Sequence, residues 1–167
     1  MAIEEVISTL FGKTSSGVIV AARFSKTYLG KKGEVGSAYF SQRLNGKRHF
    51  SLPQIQIIAK GLEALSNDLT QLTAQFKTDG SPNSLHSAFG ENGIIVANRF
   101  ASQYLGKTQK NRSVFFLQKF DADFKFSDEG IRQISTGLET LIANIDNVAQ
   151  ILKVAQIPPK PPKQLFK

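Results

Sequence analysis

The 167-residue chain has no cysteine, no tryptophan, one methionine and two histidines. Without cysteine there is no disulfide frame, no thiolate metal site and no cysteine nucleophile. His49 and His86 form no HExxH motif, and the chain contains neither a GxSxG elbow nor a phosphate-binding loop. The sequence therefore predicts no enzyme and no cofactor. No apolar run approaches the roughly 20 residues that span a bilayer. The acidic start MAIEEVISTL lacks the basic segment of a signal peptide. A soluble, cytoplasmic protein with no membrane partner is expected.

Acidic residues are also scarce: 13 Asp and Glu stand against 21 Lys and Arg, a net charge of +8. The excess is uneven. Residues 1–76 hold nine basic and five acidic residues (+4), residues 77–152 hold eight of each (0), and residues 153–167 hold four lysines and no acid (+4). A basic first part and a basic tail point to a polyanionic partner, nucleic acid foremost.

What the chain does contain is a duplication. A shift of 76 residues lays Gly17–Leu72 on Gly93–Val148 without a gap, and 21 of the 56 pairs are identical. Identical pairs include Gly17/Gly93, Arg23/Arg99, Phe24/Phe100, Tyr28/Tyr104, Gly61/Gly137 and Glu63/Glu139.

Within each copy the front half reads as sheet. Gly17–Lys26 is β-branched at its start, and Asn92-Gly93 between apolar stretches is a hairpin signal. Strands are expected near 5–12, 17–26, 83–90 and 93–102. Tyr28–Gly36 reads as a Gly- and Lys-rich loop. Ser37–Leu44 and Lys47–Leu52 flank Asn45-Gly46 as strand, turn, strand. In the second copy Val114, Phe116, Phe120, Ala122, Phe124 and Phe126 share one parity, the period of a strand.

The period then changes. Ile55, Ile58, Leu62, Leu65, Leu69, Leu72 and Phe76 step by three and four, as do Ile131, Ile134, Leu138, Leu141, Ile145, Val148 and Leu152. These are long helices with a narrow apolar seam. Ser51 and Ser127 suit their N-caps and Pro53 suits a first turn. Gly61 and Gly137 suggest either a close approach of another backbone or a tolerated defect inherited by duplication. The predicted class is α+β. Two tandem β-β-β-β-α repeats, 1–76 and 84–152, each form a four-stranded antiparallel sheet packed by a long helix. A linker (77–83) and a basic Pro/Lys-rich tail (153–167) complete the chain, and the tail offers a possible contact for a protein partner.

The segments KRHFSLPQIQIIAKGLEAL (Lys47–Leu65) and KFSDEGIRQISTGLETL (Lys125–Leu141) resemble the β4α units of single-stranded nucleic-acid-binding proteins. These are the PUR repeats, the Whirly proteins and related transcriptional-coactivator domains. The Whirly-type KGKA motif is absent. The resemblance implies that two units pair through their helices, so that the tandem chain carries its own pseudo-dimer. The long helices also offer a homodimer contact.

On that reading the outer sheet face binds single-stranded DNA or RNA. Cations follow phosphates and rings stack on bases, at about 1–3 kcal/mol per stacked base. The face would carry Arg23, Tyr39, Arg43, Lys47, Arg48 and His49 in the first copy, and Arg99, Phe115, Lys119 and Lys125 in the second. Lys26, Lys31, Lys32, Lys107, Lys110 and Arg112 would grip the backbone from the loops. Asp121-x-Asp123 reads as turn chemistry rather than a metal pair, since no third ligand is evident. Two rival readings stand beside this one. SAYFSQRLNG (Ser37–Gly46) also resembles the recognition helix of Cro-type helix-turn-helix proteins, with Ile19–Leu29 as the preceding helix, which implies a tandem duplex-DNA-binding regulator. Phe115, Leu117 and the neutral second copy fit a structural or assembly protein, such as a phage virion component.

Overall fold

The computed structural model describes residues 3–12, 17–29, 40, 43–44, 49–80, 83–89, 93–105 and 126–155. Six helices are defined among them: α1 (Ile3–Phe11), α2 (Ala21–Tyr28), α3 (Leu52–Asp79), α4 (Asn83–Phe89), α5 (Ala97–Tyr104) and α6 (Asp128–Ala155). No sheet occurs among the described residues; one isolated antiparallel bridge joins Ile19 to Ile95. The expected α+β class and its PUR/Whirly-like β4α sheet are therefore overturned.

The correction has a local physical cause. Ile3, Val6, Ile7, Leu10 and Phe11 recur at helical spacing, and burying that one side makes Ile3–Phe11 a helix instead of a strand. In Ala21–Tyr28 the buried Ala21, Phe24 and Ser25 do the same. The β-branched run Val18-Ile19-Val20 is extended only long enough to form the bridge. Phe40, Arg43 and Leu44 have helical backbone and are buried, a spacing of three and four where a strand would alternate. The expected second hairpin of the second copy lies outside the described residues.

The two long helices lie where the spacing places them. Ser51 caps α3: its hydroxyl accepts the Gln54 N–H at 3.3 Å, while Gln54 Oε1 accepts the Ser51 N–H at 2.9 Å. Ser127 Oγ accepts from Gly130 N at 3.0 Å at the start of α6. At the far end of α3, Gly80 closes the helix in the left-handed conformation (φ 62°), its N–H bonding to Phe76 O.

An internal two-fold relation organises the core. Val20 N donates to Ile94 O and Val96 N to Val18 O, each at 2.8 Å, on either side of the Ile19/Ile95 pair. The helices α3 and α6 pack along each other and run antiparallel: Lys77 pairs with Glu139 and Lys153 with Glu63, so the late part of each meets the early part of the other. The short first helix of each copy rests on the long helix of the other, α1 on α6 and α4 on α3. α2 and α5 instead pack on the long helix of their own copy. The copies are thus interlocked around one hydrophobic core.

The relation extends upstream of Gly17. Ile19 N bonds to Leu10 O and Ile95 N to Ala88 O, which makes Leu10 equivalent to Ala88 and Phe11 to Phe89. The offset there is 78 rather than 76, so the first copy has two extra residues before Gly17. Phe11 meets Phe24 at 4.9 Å between ring centroids, and Phe89 meets Phe100 at 4.8 Å. Gly61 and Gly137 are close-approach positions. A Cβ on Gly61 would lie 2.8 Å from Leu29 Cδ2, and one on Gly137 would lie 3.0 Å from the Tyr104 carbonyl oxygen.

Candidate functional site

The helices α2 and α5 flank the Ile19/Ile95 bridge symmetrically. Arg23 Nη1 donates to Gly93 O at 2.5 Å, and Arg99 Nη1 donates to Gly17 O at 2.9 Å. Each arginine thus reaches across the dyad to the turn glycine of the other copy. Neither glycine admits a larger residue, since a Cβ would fall 2.3 Å from Leu10 O at Gly17 and 2.2 Å from Ala88 O at Gly93. Arg23 stays exposed, as does Lys26 one turn further along α2; Arg99 is half-buried. Arg23 and Arg99 thus meet across the dyad, and Lys26 lies one turn from Arg23 on the same helix.

The other expected binding residues are distributed differently. Arg43 is buried, not on an outward face. Phe40 and Leu44, which are also helical in backbone, are buried with it. The His49 side chain is 82% exposed, with Nδ1 3.1 Å from Glu4 Oε1. Tyr39, Lys31, Lys32, Lys47, Arg48, Lys107, Lys110, Arg112, Phe115, Lys119 and Lys125 lie outside the described residues. Of the expected set the structure brings Arg23 and Arg99 together across the dyad, buries Arg43 and places His49 beside Glu4.

Two polar clusters escape sequence inspection. Glu4 on α1 is buried, and its Oε2 accepts the Phe50 N–H at 2.9 Å just ahead of α3. Burial opposes its charge, but the Phe50 N–H and the His49 ring outweigh that and hold the carboxyl below its ordinary pKa. The second cluster borders a groove of about 400 Å³ between α2, α3 and α4, with Asp68, Gln71, Gln75, Ser84 and Ser87 among its lining residues. Tyr28 Oη donates to Asp68 Oδ2 there at 2.7 Å. Burial, reinforced by Asp68, pushes the Tyr28 phenol well above its ordinary pKa. A phenol held protonated in this way donates a hydrogen bond and has no base or nucleophile role near neutral pH. The repeated Tyr28/Tyr104 pair was the one available signal for this cluster.

Among the described residues no group of three or more His, Asp or Glu side chains could hold a metal ion. No described helix is long and apolar enough to cross a membrane. No family model, no curated protein and no solved structure matches the chain.

Proposed function

We propose that the protein is a non-catalytic nucleic-acid-binding module that engages duplex DNA about its internal dyad. The observation that carries the reading is the reciprocal reach of Arg23 and Arg99 across the Ile19/Ile95 bridge, with the exposed Lys26 one turn along α2 from Arg23. Duplex DNA has local two-fold symmetry, and proteins built on a dyad match it. The net charge of +8 supplies the non-specific attraction. A helical scaffold without a sheet among its described residues favours a duplex over a single strand, because the described residues form no stacking platform.

The test is fluorescence anisotropy with duplex and single-stranded oligonucleotides of equal length, titrated with salt. The duplex is expected to bind more tightly, with affinity falling as salt rises, and Lys26→Gln is expected to flatten the salt slope by about one phosphate contact. Tighter binding of the single strand would restore the single-strand reading. Absence of binding to either would favour an assembly role, which the exposed Ile151 (37%) and Val154 (64%) at the end of α6 would serve.

A further inference from the structure

We propose that the chain has a second copy of itself as a partner, formed by exchanging repeats across the hinge at Gly80. The proposal is independent of any nucleic-acid role. It rests on which contacts join the two halves. The paired N–H to carbonyl bonds of Val20 and Val96, the reciprocal Arg23 and Arg99 bonds, and the Lys77–Glu139 and Lys153–Glu63 pairs all run between the first copy and the second. The same holds for α1 on α6 and α4 on α3. The halves are joined covalently only through residues 80–82, between the end of α3 and the start of α4.

Two copies of the chain can therefore satisfy every one of these contacts in trans. The first half of one chain pairs with the second half of the other, and no new surface is needed. What holds the pairing within one chain is the effective concentration imposed by the short connection, on the order of millimolar. The conformation of Gly80 works with it. The left-handed φ of 62° turns the chain back so that α4 lies on α3. A Cβ at this position would lie 2.7 Å from Ile131 Cδ1. Any residue other than glycine disfavours the closed turn on both counts, whereas an opened hinge with an ordinary negative φ accepts it.

The absence of native cysteine makes the test direct. Lys77→Cys and Glu139→Cys are placed in separate full-length chains; both positions are about half exposed, so the substitutions spare the core. The chains are mixed, unfolded in urea, refolded at increasing concentration and treated with a short bismaleimide. A single chain carrying both substitutions, which crosslinks internally, is the positive control. Exchange predicts crosslinks between a 77 chain and a 139 chain in preference to 77–77 or 139–139 products, with a yield that rises with concentration. Adding Gly80→Ala to both chains is expected to raise that yield about tenfold for each hinge. Equal amounts of all three products, or none at near-millimolar refolding, would overturn the proposal. If Gly80→Ala fails to fold by circular dichroism, the pair with the native hinge decides.

Discussion

Tyr28 donates a hydrogen bond to Asp68, whereas Tyr104, its equivalent across the dyad, accepts one from Asn144 at 2.9 Å. The two tyrosines stack alike on Phe24 and Phe100, with centroids at 5.6 and 5.5 Å. The buried aromatic pairs Phe11/Phe89 and Phe24/Phe100 match, but other buried pairs such as Leu10/Ala88 and Thr73/Ala149 differ, as do positions at the rim. Lys26 corresponds to Ser102, Gln75 to Ile151, and the Glu4–Phe50 bond belongs to the first copy. Positions that face the other copy are constrained by the dyad, because a change there meets its own equivalent or that residue's neighbours. Positions that face solvent carry no such constraint, so this is where a functional difference between the copies can sit.

The largest effects are expected at the paired aromatics. Phe24→Ala and Phe100→Ala each empty a fully buried site and are expected to cost about 3–5 kcal/mol. Equal losses in urea unfolding would uphold the equivalence of the two cores. A loss at one site less than half that at the other would refute it.

The two helix glycines differ in what they face. Gly137→Ala meets a backbone carbonyl and is expected to destabilise by about 1–3 kcal/mol. Gly61→Ala meets the tip of the Leu29 side chain, which can rotate, and the helix gains about 1 kcal/mol from alanine, leaving a change near zero. Thermal unfolding that ranks Gly61→Ala as the more damaging would contradict this account.

Glu4 tests what only the first copy has. Its folded-state pKa is depressed, so its contribution is present above the unfolded carboxyl value of about 4.3 and is lost as pH falls through the lower folded value. Glu4→Gln is expected to cost about 1–3 kcal/mol at pH 7, and the gap to the parent protein should close in acid. A gap unchanged between pH 7 and pH 3 would rule out the carboxylate as its source. The smallest effect is at the ion pairs between the long helices. Double-mutant cycles on Lys77/Glu139 and Lys153/Glu63 should each give about 0.2–1 kcal/mol, shrinking with salt.

The long helices were legible because their seams are long, repeat at three and four, and open on Ser51 and Ser127 caps. The front of each copy was not. Ile3–Phe11 spans under three turns, too short for its period to stand out against a mixed composition. Val18-Ile19-Val20 has real extended propensity, and the fold uses it in one bridge before Ala21 begins a helix. The strand expected over 17–26 is thus replaced by one bridge and a helix, and the packing of Phe24 on Phe11 holds the helical part in place. Arg23 and Arg99 were visible as a repeated basic pair. Their link to the opposite glycine carbonyls was not, because it depends on how the copies cross.

The dyad lies within one polypeptide. In a dimer of identical chains every substitution appears twice, so a charge introduced beside the axis confronts its own image. Here Asp68 and Asn144, or Lys26 and Ser102, are separate letters in one text and can be revised one at a time. A surface that began as a mirror can thereby acquire a front and a back while the frame behind it keeps its symmetry.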